Sequence, residues 1–73
     1  MPTFGEKLRK LRLAHGLTQE ELAEQLGFSA HNIIGMMENG KRNPTIELLL
    51  KLMPMFNVTA DQLIRDDLDV ETP

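Results

Sequence analysis

The sequence predicts an all-α domain of five short helices. Three observations predict this fold class: hydroxyl residues that can cap helices recur along the chain, apolar residues follow them at helical spacing, and no segment has the pattern of a β-strand. The chain has 73 residues and no cysteine. It is therefore expected to form one small domain without disulfides or thiolate metal ligands.

Each predicted helix has a start signal and a stop signal. A Thr or Ser stands at each start, in three cases with Glu or Gln three residues later as a capping-box partner. Glycine, which readily adopts a left-handed backbone, ends the first three helices. The five predicted helices are residues 4–15 after Thr3, 19–26 after Thr18, 30–39 after Ser29, 46–56 after Thr45, and 60–66 after Thr59.

Two features complicate the C-terminal part of the chain. Pro54 removes a backbone donor and crowds the preceding turn, at a cost of roughly 3 kcal/mol if helix 4 continues through it. We therefore expect helix 4 to kink or to end early, with Met55 and Phe56 still packing inward. Residues 67–73 are acidic and end in proline, so we expect a flexible, frayed tail after a domain of residues 1–66.

Charge is distributed unevenly along the sequence. The net charge is −3, which is unfavourable for a nucleic-acid-binding protein. Residues 1–45 contain six Lys or Arg and five Asp or Glu, whereas residues 46–73 contain two and six. The N-terminal part is therefore slightly basic, which permits a DNA-binding face without requiring one.

Several classes of function find no support in the sequence. There is no activated Ser or Cys arrangement and no glycine-rich phosphate loop. The two histidines lie sixteen positions apart, without a carboxylate pattern typical of a metal site. We therefore expect no enzyme activity, cofactor, metal or small-molecule substrate. Nothing near Met1 resembles a signal peptide and no apolar run approaches membrane-spanning length, so we expect a cytoplasmic protein without a membrane partner.

Four segments together resemble the XRE, or Cro/repressor-type, helix-turn-helix family. They are LTQEELAEQLGFS (17–29), ENGKRNP (38–44), LLLKL (48–52) and NVTADQLI (57–64). They occur in the family's order, and the resemblance covers residues 4–66. It implies a lambda-repressor-like DNA-binding domain of bacterial or phage type, nucleoid-associated when bound, with helix 3 in the major groove and helix 2 across the sugar-phosphate backbone.

The resemblance also assigns phosphate contacts to individual residues. Gln19 matches a phosphate-contacting glutamine at the start of helix 2, where the helix N-terminus favours an anion. Lys41, Arg42 and Asn43 match a basic loop that contacts the neighbouring phosphates, and Asn39 is placed in the same set. These five residues are the predicted phosphate contacts.

Structural positions of the family can be matched as well. Arg12 and Glu38 match a salt bridge that ties helix 1 to the end of helix 3. The matching core residues are Leu22, Ala23, Leu26, Leu48 and Leu52. Between the glycine that ends helix 2 and Glu38 this chain has eleven steps, one more than many family members. The extra residue lies in the turn if Ile34 and Met37 point inward, whereas a cap at Ser29 would add it to helix 3.

The predicted base contacts follow from placing the extra residue in the turn. The outward positions are then Ala30, His31, Asn32, Ile33 and Met36. Of these, His31 and Asn32 are the best candidates to reach base edges, since Asn can bond adenine N6 and N7 together, and Ile33 or Met36 could contact a thymine methyl group. Without Arg or Gln at these positions, base discrimination should be weak or favour A·T pairs. Gly35 costs about 1 kcal/mol relative to alanine, and it either permits a close approach or is simply tolerated.

Two functions from different classes fit these observations. The first is a sequence-specific regulator of transcription, a repressor, that binds double-stranded DNA as a homodimer; the dimer surface is expected near Met55, Phe56 and the last helix, which family members often use. The second is a protein–protein interaction module on the same fold, such as an antirepressor, an antitoxin-like partner or an adaptor. Net acidity, the apolar surface of helix 3 and Gly35 favour the second function.

The distribution of acidic residues discriminates between these two functions. Carboxylates crowded around Gln19, Asn32 and Arg42 would disfavour DNA, whereas carboxylates on the opposite side would leave DNA binding standing. A third possibility is that the chain is the DNA-binding piece of a larger protein, and the start at Met1 argues against it.

Overall fold

The computed structural model describes residues 2–72, and this range contains five α-helices and no β-strand. The helices are α1 (Phe4–Ala14), α2 (Gln19–Gln25), α3 (Ile33–Glu38), α4 (Ile46–Phe56) and α5 (Ala60–Ile64). The predicted all-α fold class is confirmed. None of these helices is long and apolar enough to cross a membrane.

Threonine caps begin four of the five helices, as predicted. The hydroxyl oxygens of Thr3, Thr18, Thr45 and Thr59 each accept a hydrogen bond from the backbone N–H three residues later. At Thr18 and Thr59 the side chain three residues later also accepts from the backbone N–H of the cap, which completes a capping box. These bonds pair donors that a helix start otherwise leaves free, and they stabilise α2 and α5 although both are short.

The turn between α2 and α3 is longer than the capping pattern suggests. Gly27 has a left-handed φ of 82°, and backbone hydrogen bonds across the end of α2 close the turn. Helix α3 begins only at Ile33, with Asn32 as its N-cap residue. Ser29 therefore does not cap α3, and the prediction of a helix from residue 30 is wrong. This late start of α3 agrees with placing the extra residue in the turn.

All five helices and the segment after α5 contribute to one apolar core. Its buried residues are Leu8, Leu11, Leu22, Ala23, Leu26, Ile33, Ile34, Met37, Leu48, Leu52, Phe56, Val58, Leu63 and Val70. The five core positions matched to the family are all among them. Ile34 and Met37 are buried as well, which agrees with the extra residue lying in the turn.

Helix α1 packs closely against the C-terminal end of α3 at Gly5. A Cβ atom on Gly5 would lie 2.5 Å from the carbonyl oxygen of Met37 and 2.6 Å from that of Glu38. Backbone atoms cannot tolerate such distances, so the absence of a side chain is what allows the two helices to pack this closely. Nothing in the sequence pattern singles out Gly5 for this role.

Helix α4 continues through Pro54 to Phe56, so the expected early end is wrong. Proline cannot donate to the carbonyl of the residue four positions earlier, and this residue, Leu50, is 63% exposed. Water can therefore reach that side of the helix. Only the last turn is affected, because Asn57 adopts a left-handed φ of 53° and ends α4. Phe56 is buried and Met55 packs against the core, as expected.

The segment after α5 packs along α1. Val70 is 2% exposed and belongs to the core. The Lys10 Nζ atom donates to the Val70 carbonyl oxygen at 3.0 Å and to the Asp69 carboxylate at 3.2 Å, and the buried Lys7 side chain donates to the Arg65 carbonyl oxygen. A frayed tail was expected after residue 66. In the structure, two lysines of α1 and the buried Val70 side chain hold the segment after α5 against the domain.

Candidate nucleic-acid interface

Glu38, the last residue of α3, joins three elements of the fold. Its Oε2 accepts a hydrogen bond from Arg12 Nε at 2.7 Å, and its Oε1 accepts from Arg12 Nη2 and from Gln19 Nε2, each at 3.1 Å. Arg12 also donates to the Leu17 carbonyl oxygen. The side chains of Arg12 and Glu38 are only 9% and 3% exposed. This two-pronged ion pair therefore fixes α1, the start of α2 and the end of α3 relative to one another.

Gln19 lies directly against α3 at Gly35. A Cβ atom on Gly35 would lie 3.2 Å from Gln19 Oε1, while the Gln19 Nε2 atom donates to Glu38. The amide is thus held between the middle and the end of α3, although Gln19 remains exposed. Of the two explanations for Gly35, the structure supports a close approach, and the approaching group is a side chain of the same protein.

A tight turn at the end of α3 presents the loop of residues 39–43. Gly40 has a left-handed φ of 76°, and the Lys41 N–H donates to the Met36 carbonyl oxygen at 2.8 Å, an arrangement that commonly ends helices. All residues of the loop are exposed. Within residues 2–72, neither Lys41 nor Arg42 takes part in an ion pair. The loop therefore presents two free cations beside the end of α3.

The four predicted base contacts occupy different environments. His31 and Asn32 are exposed, and the Asn32 side chain makes no capping bond, only a 3.7 Å contact with the Met36 sulfur. Met36 is half-buried. Ile33 is 7% exposed and belongs to the core, so its predicted outward position is wrong: α3 is so short that its inward stripe includes its first residue.

Two carboxylates border the surface formed by the exposed residues around α3. Glu20 Oε1 lies 3.5 Å from His31 Nδ1, and a carboxylate oxygen of Glu24 lies within 4.8 Å of both side chains. In the C-terminal segment, the carboxylates that form ion pairs do so with Lys10 and Arg65. The surface therefore carries cations beyond the C-terminal end of α3 and carboxylates near its N-terminal end.

Comparison with known proteins places this arrangement in a family. A family model described as helix-turn-helix matches residues 8–63. The chain belongs to the XRE-type helix-turn-helix family of DNA-binding transcriptional regulators. This helix-turn-helix chain is 44% identical over 61 residues to the HTH-type transcriptional activator BcrR of Enterococcus faecalis. The matched region covers 84% of this chain but only 29% of BcrR. It thus spans less than a third of that relative.

One other relative and one solved structure are similar to this helix-turn-helix chain in length, and a second solved structure is longer. It is 39% identical over 62 residues to an HTH-type transcriptional regulator of Archaeoglobus fulgidus, with 84% of this chain and 87% of that protein covered. Among solved structures, the restriction-modification controller protein C.AhdI of Aeromonas hydrophila matches with a TM-score of 0.70 and 38% identity over 84% of this chain and 91% of that one. A chain of the SinR/SinI complex matches with a TM-score of 0.76 and 26% identity over 89% and 63%.

Proposed function

We propose that this regulator binds double-stranded DNA through one continuous surface, the groove face. The groove face consists of Gln19, His31, Asn32, Met36 and the loop of residues 39–43. The observation that carries the proposal is the position of the Gln19 amide, which donates to Glu38 and lies where a side chain on Gly35 would meet it. It holds the start of α2 beside α3 and next to the loop, so that one duplex can meet all three elements.

Within the groove face, the loop and Gln19 supply affinity. Lys41 and Arg42 neutralise phosphates, and Gln19, Asn39 and Asn43 donate amide hydrogen bonds to phosphate oxygens. Such contacts fix the register of the protein on DNA but carry no direct sequence information. They also make binding depend on salt, because each neutralised phosphate releases counterions.

Sequence reading falls to the side chains around the start of α3. The Asn32 amide is not used for capping, so it is available to bond adenine N6 and N7 in the major groove. Met36, one helical turn further along α3, can contact a thymine methyl group. His31, in the connection between α2 and α3, can reach a base. With Ile33 buried, these three residues are the candidate readers, and a preference for A·T pairs is expected.

A double substitution in the loop tests the phosphate contacts. Lys41→Ala with Arg42→Ala should weaken binding to a selected duplex and to a random one alike, and it should reduce the slope of log affinity against log salt by about 0.9 for each lost contact. Fluorescence anisotropy at several salt concentrations measures both. Arg9→Ala, which removes an exposed cation of α1, is the control and should change the slope much less. Unchanged affinity of the double variant for both duplexes would overturn the assignment.

We further propose that the protein represses transcription as a homodimer, with one groove face on each of two half-sites about 34 Å apart.

Phe56 cannot form the dimer surface expected from the sequence, because it is buried, with its ring centroid 4.7 Å from that of His15. Ile46 and Leu50 are 77% and 63% exposed and lie one turn apart on α4. Leu50→Glu should therefore shift the protein towards monomer in sedimentation experiments, and an unchanged mass distribution would contradict this surface.

The carboxylates beside the groove face favour a second candidate, a protein–protein interaction module. Glu20 and Glu24 would repel phosphates near the N-terminal end of α3, whereas a basic partner protein would find them favourable. The anisotropy experiment separates the two candidates. Measurable affinity for random DNA at low salt supports the regulator, and its absence supports the protein partner.

A further inference from the structure

Three potential metal ligands meet at the edge of the groove face. Glu20 and Glu24 lie one turn apart on α2, and His31 lies in the turn before α3. One ligand atom from each of the three side chains lies within 4.8 Å of the other two, and the Glu20–His31 distance is 3.5 Å. All three side chains are exposed and accessible to an ion from solvent.

The two carboxylates lack a permanent cationic partner. Among residues 2–72, no Lys or Arg pairs with Glu20 or Glu24, and the only ion pair of either is with His31. Two neighbouring carboxylates repel each other, and a divalent cation would relieve that repulsion. The imidazole comes from a different element of the fold, so the ligand set is not simply an acidic helix surface.

We propose that Glu20, Glu24 and His31 bind a divalent transition-metal ion, for which Zn²⁺ is the probe. Zinc takes carboxylate oxygens and imidazole nitrogens at about 2.0–2.2 Å, so tetrahedral ligand atoms lie about 3.3 Å apart. Relative to the 4.8 Å limit observed here, the side chains need to close by at most about 1.5 Å, which rotamer changes of exposed side chains achieve. Imidazole disfavours calcium and magnesium, which prefer oxygen ligands alone, and water completes the coordination.

A bound ion would also change the charge next to the groove face. It would neutralise both carboxylates, so their repulsion of DNA phosphates would fall. Affinity for a random duplex, which does not need His31 as a base reader, would therefore rise at low salt. This consequence rests on the proposed DNA-binding function, whereas metal binding itself does not.

The site is tested by titrating the metal-free full chain with zinc chloride in the absence of DNA. In NMR spectra the ring signals of His31 should change, while those of His15 serve as an internal control and should not. In calorimetry, Glu24→Gln should weaken zinc binding at least about tenfold, since even the loss of a residue that only hydrogen-bonds a metal ligand costs that much. Glu47→Gln removes an exposed carboxylate from the first turn of α4 and should leave zinc affinity unchanged. Equal affinity in Glu24→Gln, or the absence of a response at His31 at millimolar zinc, would overturn the site.

Duplex binding with and without zinc then tests the charge effect. Zinc should raise the affinity of the unsubstituted protein for a random duplex and have a much smaller effect on Glu24→Gln. A zinc response at His31 without any DNA binding would overturn the proposed function and leave the metal site standing. DNA binding without a zinc response at His31 would overturn the metal site and leave the proposed function standing. Zinc binding that leaves DNA affinity unchanged would overturn the charge effect.

Discussion

Glu38 is the single residue on which the geometry of the groove face depends most, because Arg12 and Gln19 share its carboxylate. Glu38→Ala leaves the buried guanidinium of Arg12 without its partner, and removing one member of a buried pair costs about 3–5 kcal/mol. Urea denaturation should show that loss. Replacing the whole pair, with Arg12→Met and Glu38→Leu, should lower the free energy of unfolding much less. An equal loss in Glu38→Ala and in the double variant would show that the unpaired charge of Arg12 is not the cause.

Gly5 and Gly35 should respond to alanine in opposite directions. At Gly5 the added Cβ would meet backbone oxygens at 2.5 and 2.6 Å, and relief requires α1 and α3 to separate, so stability should fall by about 1–3 kcal/mol. At Gly35 it would meet the end of the exposed Gln19 side chain at 3.2 Å. That side chain can move, and α3 should gain up to about 1 kcal/mol of helix propensity.

The two glycine variants are compared by thermal unfolding and by duplex binding. Gly35→Ala should be at least as stable as the original protein yet bind DNA more weakly, because Gln19 is displaced from the groove face. A Gly35→Ala variant as unstable as Gly5→Ala would show that the Gln19 side chain cannot give way.

The sequence predicts the structural role of a residue best when the partners of that residue are near neighbours in the sequence. A capping box involves positions three apart, so Thr18 and Thr59 could be assigned directly. The role of Gly5 depends on where α3 ends in space, which no local pattern specifies. The orientation predicted for Ile33 was wrong because Ile33 is the first residue of a very short helix, α3. Its orientation therefore depends on where that helix begins.

The segment after α5 is a stabilising element of the domain. Val70→Ala removes two methyl groups from a fully packed position, and such losses cost about 1–3 kcal/mol of unfolding free energy. Leu13→Ala truncates an exposed side chain of α1 and should change the unfolding free energy by no more than about 0.5 kcal/mol. Chemical denaturation of both variants measures the difference, and equal stabilities would mean that Val70 contributes nothing by its burial.

Acid should weaken the capping and C-terminal contacts. The Thr18 backbone N–H lowers the pKa of Glu21, and the Val70 backbone N–H, followed by Lys10, lowers the pKa of Asp69. A carboxyl group with a lowered pKa in the folded state stabilises the fold above its unfolded pKa, and this contribution disappears as pH falls through the folded value, below about pH 4.

Urea midpoints between neutral and acidic pH test this dependence. The midpoint should fall below about pH 4, and Glu21→Gln and Asp69→Asn should each flatten the fall. Identical pH profiles for the original protein and both variants would contradict the assigned contacts.

The order and approximate bounds of four helices were predictable from caps and glycine stops. The start of α3 was not, because Ser29 offers a capping side chain that the longer turn leaves unused. The path of α4 through Pro54 was not predictable either, because the local cost of a proline does not stop α4 from continuing to Phe56. The position of residues 67–70 depends on Lys10 and Val70 meeting across the fold. These are tertiary effects, and they override local propensity.

At the scale of the whole molecule, the net charge of −3 does not describe the groove face. Its loop presents Lys41 and Arg42 without partners among residues 2–72, whereas Glu20 and Glu24 lie near the other end of α3. Family resemblance predicted the cationic end from the sequence. The cluster of two carboxylates with His31 was missed, since these residues meet only through the turn between α2 and α3.

We propose that Gln19, α3 and the loop of residues 39–43 contact one duplex together. An NMR titration of the full chain with a short DNA duplex at low salt tests it most directly. If these three elements contact one duplex, amide shift changes will be concentrated at Gln19, residues 31–36 and residues 39–43, with little change along α4. Changes centred on Ile46 and Leu50, or no changes at any duplex concentration, would contradict it.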